Sequence, residues 1–292
     1  MMSQQVNDNY PGKAPVMTDQ QLKEIATAKY ETKTDSQSEE VQSYDFPTEI
    51  VELPSKGKLY PKGHPLSKGS IEMKYMTARE EDILTNQSFI RQGVVLDKLF
   101  KSLIVTPIDY NDLLLCDKNA IMVAARVLGY GKDYPIKITS PISGQEIEHT
   151  IDLTKLEEKQ IDWSLITEGV NEFELELPAS KHVVKLKMLS HKDQAKMDTE
   201  LKGLAKLKKN ASVSTMMKYV ITAIDGDSDN VKIRKFVDNQ LLAIDSRAIR
   251  NYIAKVTPEI DLSIEIPDPE AGETFRSPIN IGLDFFWPDS NL

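Results

Sequence analysis

The sequence predicts an α+β protein of two tandem similar domains, each with a strand pair, helices and a C-terminal β-hairpin. Three observations carry this. Asn111 to Leu153 aligns without a gap on Asn239 to Ile281, 128 positions further on. Asn111, Leu113, Leu114, Asp117, Ala120, Ile121, Ile136, Ile138, Pro141, Gly144 and Ile151 meet the same residue types at Asn239, Leu241, Leu242, Asp245, Ala248, Ile249, Ile264, Ile266, Pro269, Gly272 and Ile279. In each copy the apolar positions run first at helical and then at alternating spacing. A shared Pro-x-x-Gly turn completes what reads as one supersecondary unit used twice.

Residues 1–46 are polar and poor in large apolar groups, so they bury too little surface to offset their ordering entropy and read as a flexible N-terminal arm. Thr18-x-x-Gln21 ahead of Leu22, Ile25 and Ala26 offers one capped helical stretch through Tyr30, which would suit an arm that orders on a partner.

The first repeat spans 47–153. Ile50, Val51 and Leu53 form an extended run ended by Pro54-Ser55-Lys56-Gly57, and Ile71, Met73 and Tyr75 alternate in a second strand. Thr77-x-x-Glu80 is a capping box that starts a helix through Ile83 and Leu84. Asn111 is the expected N-cap of the next helix, with Leu114, Ile121, Ala125 and Leu128 on one face and Gly129 and Gly131 as its stop. Ile136 and Ile138, the turn Ser140 to Gly144, and Ile147 to Ile151 then form a hairpin.

Residues 154–171, with Trp163, read as a linker. The second repeat, 172–292, echoes the opening: Glu176-Leu177-Pro178 follows Glu52-Leu53-Pro54, Val184 to Leu189 follows Ile71 to Met76, and Ser190-x-x-Asp193 stands for Thr77-x-x-Glu80. Lys192 to Ala223 is expected to be helical, Asn239 to cap the later helix, Pro258 to end it, and Ile264 to Ile279 to form the second hairpin. The loop between the opening strands is about 11 residues longer in the first copy, counted from Pro54 to Ile71 against Pro178 to Val184. It carries Lys56, Lys58, Tyr60, Pro61, Lys62, His64, Pro65 and Lys68, and is where the copies would divide their roles.

A formal charge of −9 and a pI near 5.1 oppose sequence-independent nucleic-acid binding, which needs a positive field, and favour protein partners. Cys116 is the only cysteine, which excludes an internal disulfide and a cysteine-based metal site; its place on the apolar side of a helix makes it a small buried hydrophobe. No run of about 18 apolar residues and no signal-peptide pattern is present, so neither a membrane span nor export is implied.

Pro141-Ile-Ser-Gly144 has the outline of a zinc knuckle, but the ligand positions hold Ser140 and Ser143, and Asp268 and Ala271 in the second copy, a poor donor set for zinc. Asp225-Gly-Asp227-Ser-Asp229-Asn230 opens like a calcium loop and fails at Asn230 and Phe236, where Gly and Glu belong. Lys202, Lys206, Lys208 and Lys209 read as a solvated helix face or a basic patch. No phosphate loop, nucleophile elbow or His-Glu-x-x-His occurs, and His64, His149, His182 and His191 are scattered, so no catalytic residue, metal or cofactor is assigned. Phe285-Phe286-Trp287-Pro288 reads as a segment that is docked, either on its own domain's core or on another chain.

Glu52-Leu-Pro-Ser-Lys-Gly-Lys-Leu-Tyr-Pro61, Met76-Thr-Ala-Arg-Glu-Glu-Asp82, the Gly129-Tyr-Gly131 and Ser140-Pro-Ile-Ser-Gly144 turns and Phe285-Phe-Trp-Pro288 together resemble the T4-type bacteriophage baseplate protein family, from about residue 47 onward. The resemblance implies a non-enzymatic hub assembly or structural protein of a contractile tail, present in the host cytoplasm during assembly or in the virion tail baseplate. Relatives often carry Cys-Pro-x-Cys-Gly at the hairpin turns, implying two knuckles that share one zinc; this sequence departs there. Partners would be other baseplate and hub proteins, with neither nucleic acid nor membrane, and with room for a homo-oligomer. Lys56, Lys58, Tyr60, Pro61, Phe285, Phe286, Trp287 and Pro288 are the expected partner-binding residues. A transient assembly chaperone absent from the mature virion, a nucleic-acid-binding regulator descended from zinc ribbons and a cell-wall hydrolase are the rival readings.

Overall fold

The computed structural model describes residues 47–286, so the arm 1–46, with its Thr18 to Tyr30 stretch, and Trp287 and Pro288 lie outside the described residues. Strand β1 (Thr48–Glu52) pairs antiparallel with β2 (Ser70–Lys74), Ile50 opposite Glu72, and Ile71 and Met73 point into the core. Helix α1 (Ala78–Thr85) starts at the Thr77–Glu80 capping box, and α2 (Gln87–Gln92) and α3 (Val95–Leu103) follow. Val95, Leu99, Phe100 and Leu103 recur at helical spacing and bury the inner face of α3, at about 2 kcal/mol for each side chain. Helix α4 (Leu115–Tyr130) leads to the hairpin of β3 (Asp133–Thr139) and β4 (Glu146–Asp152), in register at Ile138 and Ile147.

The second half begins with β5 (Phe173–Glu176) and β6 (Val183–Leu186), then α5 (His191–Lys206), α6 (Ser212–Val220) and β7 (Ile221–Ile224). Helices α7 (Asn230–Asn239) and α8 (Ala243–Val256) precede the hairpin of β8 (Ser263–Asp268) and β9 (Glu273–Pro278), and a 3-10 turn, Asp284–Phe286, follows. The fold of the described residues is therefore α+β, with eight α-helices and four small antiparallel sheets. They lie within one compact unit, Phe46–Leu292. Its core joins Leu53, Phe100 and Ile121 of the first half to Leu186, Phe236 and Ile249 of the second.

The expected helix from Lys192 to Ala223 is two helices and a strand. It breaks at Leu207, and Ile221–Ile224 adds to the free edge of β6, where Ile221 and Ala223 are buried. Asn111 and Asn239 are not N-caps. Asn111 sits in a 3-10 turn, Asn239 is the last residue of α7, and Leu114 and Leu242 occupy the cap positions with no side-chain cap bond. Tertiary partners satisfy the start of α4 instead: the Leu114 N–H donates to the Tyr60 hydroxyl (3.1 Å) and the Leu115 N–H to the Leu189 carbonyl (2.9 Å). Gly129 lies inside the last turn of α4, under Met76, and Gly131 caps it.

Comparable contacts appear in both halves. The Asp117 carboxylate, in the first turn of α4, accepts from the Ser55 N–H (2.9 Å) and hydroxyl (2.8 Å); the Asp245 carboxylate, in the first turn of α8, accepts from the Ala179 (2.8 Å) and Ser180 (3.1 Å) N–H groups. Lys74 donates to Glu80 at 2.8 Å across the first capping box, and Lys187 to Asp193 at 2.7 Å across the second.

Candidate docking surface

Residues 54–69 fold into a closed loop with four left-handed backbone positions, Lys56, Gly57, Gly63 and Gly69. Lys56 has φ 49° and Gly57 φ 74°, and a Cβ on Gly57 would stand 2.4 Å from the Ser67 carbonyl oxygen, so only glycine lets the two ends of the loop touch. Tyr60 anchors the loop from inside: it is 3% exposed, its hydroxyl donates to Asp117 at 2.8 Å, and its ring stacks on His64 at 5.1 Å. Burial raises the Asp117 carboxyl, and the Ser55 and Tyr60 donors oppose that rise; burial followed by the Asp117 charge pushes the Tyr60 phenol far up. Tyr60 is thus a structural member of the core and leaves the outer face to Lys56, Pro61, Lys62 and Lys68, all exposed, with Lys58 half-buried.

The segment 154–171 clamps this loop. Lys56 and Lys58 lie over the Trp163 ring at 5.4 and 4.7 Å, Lys56 pairs with Glu158 at 3.1 Å, and the Gly169 N–H donates to the Lys58 carbonyl at 2.7 Å. The same segment runs beside the second half, where the Lys159 N–H donates to the Glu259 carbonyl and the Asp261 N–H to that of Glu157. Leu165 and Val170 in this segment are exposed. The loop's cationic outer face is thus held from below by Trp163, Glu158 and Gly169.

Phe285 and Phe286 are fully buried, and the Phe285 ring meets Tyr134 of β3 at 4.8 Å. Both rings belong to the core that the two halves share. Trp287 and Pro288 are outside the described residues. Arg126 lies against the Tyr130 and Tyr134 rings at 5.1 and 5.7 Å and donates to the Gly131 carbonyl, supports that the sequence pattern did not reveal.

The two hairpin turns meet. The Ser140 hydroxyl donates to the Asp268 carboxylate at 2.5 Å, joining positions 128 apart, and the Glu270 and Ala271 N–H groups also donate to Asp268. Donors from Ser140 and then Ser143 hold the Asp268 carboxyl far below the usual range. Two hydroxyls, one carboxylate and the methyl of Ala271 do not fit zinc, and a hydrogen-bonded clasp joins the turns. The acidic turn is also fully engaged: Asp225 accepts from Val183 N–H and pairs with His182, Asp227 pairs with Lys232, and Asp229 caps α7.

A polar seam that sequence reasoning missed joins the halves. Asp97 of α3 accepts from Tyr110 (3.2 Å) and Lys118 (3.4 Å) and faces His191 of α5 at 3.6 Å, whose ring packs on Tyr110 at 4.4 Å. Burial lowers the His191 pKa despite Asp97. No local signal could have grouped residues so far apart in sequence.

Residues 46–287 match the model of a family described as T4 bacteriophage base plate protein. The chain belongs to the T4-type baseplate protein family. The match starts where the compact unit starts and reaches through Phe285 and Phe286. No curated protein and no solved structure matches this baseplate protein. The family gives it a structural role in a phage baseplate, among other phage structural proteins of the tail. Among the described residues no helix is long and apolar enough to cross a membrane.

Proposed function

We propose that this baseplate protein is a non-enzymatic hub assembly and structural protein, made in the host cytoplasm and carried into the tail, which scaffolds hub components by protein–protein contacts. The observation that carries this reading is the family match over 46–287. The clamped loop supports it, with Lys56, Lys58, Pro61 and Lys62 as contact residues and Trp287-Pro288 as a further one. Two copies of one unit, related by an approximate two-fold, would account for the paired contacts of Asp117 and Asp245, of Glu80 and Asp193, and for equivalent positions Ser140 and Asp268 meeting each other.

The test is a mass-spectrometric count of the chain in purified virions and in isolated baseplate intermediates. Equal, fixed copies in both are expected. Presence in intermediates alone would make it a transient chaperone, and absence from both would end the hub reading. The charge-reversal variant Lys56→Glu/Lys62→Glu is expected to fold and to lose co-sedimentation with hub intermediates. Unchanged co-sedimentation would remove the loop from the interface. The nucleic-acid-regulator reading requires salt-dependent DNA binding, which a net charge of −9 opposes.

A further inference from the structure

Between Glu200 and Asp225 the chain carries five lysines and no acidic residue, in a protein of net charge −9. Four of them, Lys202, Lys206, Lys208 and Lys209, surround the turn from α5 into α6, where Lys208 stands at φ 57°. All four are exposed, and none has an ion-pair partner among the described residues. Elsewhere the lysines of α4, β6 and α6 are neutralised: Lys118 by Asp97, Lys185 by Glu172, Lys218 by Asp238. At the centre of the cationic turn Leu207 is 69% exposed.

The turn continues directly into a groove of about 530 Å³ between α6, the end of α7 and the start of α8. Its lining is mixed: Val213, Leu241 and Ala243 stand beside Ser212, Ser214 and Ser246, and Arg250 adds a cation. Beside it Leu242 and Ile244 are 49% and 59% exposed, and Val213 itself 44%. Apolar surface concentrated this way, rimmed by charge of one sign, marks an interaction site rather than scattered surface residues.

We infer that this groove and its lysine-rich turn bind an acidic amphipathic segment of another protein, with the apolar face on the exposed Val213, Leu242 and Ile244 and the acidic face toward Lys202, Lys206, Lys208 and Lys209. Charge complementarity selects the partner's sign, and the exposed apolar side chains of Leu207, Val213, Leu242 and Ile244 select a protein segment over nucleic acid, whose phosphates would gain nothing from them and would meet the chain's overall negative charge. The inference rests on the groove and not on the hub reading, and a binding test in isolation separates the two.

The probe is a fluorescein-labelled peptide of about 18 residues, with Leu at helical i, i+3, i+4 spacing and Glu on the opposite face. It is titrated against the full chain, beside a scrambled peptide of the same composition and a single-stranded oligonucleotide. Micromolar binding of the patterned peptide alone is expected, weaker at higher salt. Lys202→Glu/Lys206→Glu/Lys208→Glu/Lys209→Glu should weaken it roughly tenfold or more at low salt and reverse the sign of the salt dependence, since added salt then screens a repulsion. Val213→Asp should weaken it at every salt concentration, with circular dichroism unchanged. The proposal is overturned by equal binding of the scrambled peptide, by preference for the oligonucleotide, by an unchanged affinity of the lysine variant, by no binding up to about 100 μM, or by sedimentation showing that a second copy fills the groove.

Discussion

Glu80 and Asp117 are carboxylates with no exposure, and each accepts from at least one donor distant in sequence. Glu80 accepts from Lys74, from the Thr77 N–H and hydroxyl, and from Ser102 of α3. Burial alone would raise its pKa; the Lys74, Thr77 and Ser102 bonds outweigh burial and hold it at about 2, against an ordinary 4.5. Because the folded value is the lower one, the stabilisation is complete above pH 4.5 and is lost as pH falls toward 2. Glu80→Gln is therefore expected to cost about 3 kcal/mol at neutral pH and to flatten that acid limb in denaturant titrations; an unchanged limb would contradict it. Asp117→Asn puts an amide where the Ser55 N–H, the Ser55 hydroxyl and the Tyr60 hydroxyl all donate, and should lower stability by about 1–3 kcal/mol in urea unfolding. At this scale the sequence revealed little beyond the cap itself. Thr77-x-x-Glu80 is a local pattern, whereas Ser102 and the Asp117–Ser55 pair are joined only by folding.

Elements were more legible where their period was long or their turn distinctive. The two hairpins and α4 follow from alternation, helical spacing and the Gly and Pro stops. Strand β7 was hidden, because Ile-Thr-Ala-Ile continues the helical pattern of α6 and becomes a strand only by pairing with β6. The enlarged loop was visible as an insertion, and its cationic face with it. Its clamp by Trp163 and the burial of Tyr60 were not, since both depend on contacts across the chain. The loop's closure depends on Gly57. Gly57→Ala forces a left-handed residue and a 2.4 Å clash with backbone, and is expected to cost about 2 kcal/mol or more and to expose the amides of 54–69 to hydrogen exchange. Retained protection there would show that the loop closes without it.

Across the whole molecule the ties between the two halves include the shared core, the Leu115–Leu189 backbone bond, the Asp97–His191 seam, the Ser140–Asp268 clasp and the Phe285–Tyr134 contact. Ending the chain at Leu283 is expected to loosen α4 and β3, far away in sequence, as measured by hydrogen exchange; loss confined to residues near the new end would deny the tail that role. Ser140→Ala should separate the hairpin tips without unfolding the core, seen as faster exchange at 140–145 and 268–273. The aromatic contact also sets an order of events during synthesis. Tyr134 leaves the ribosome about 150 residues before Phe285, so this part of the first half stays uncovered through about half of the synthesis of the 292 residues. A fragment released early would expose the apolar surface that Phe285 and Phe286 otherwise bury.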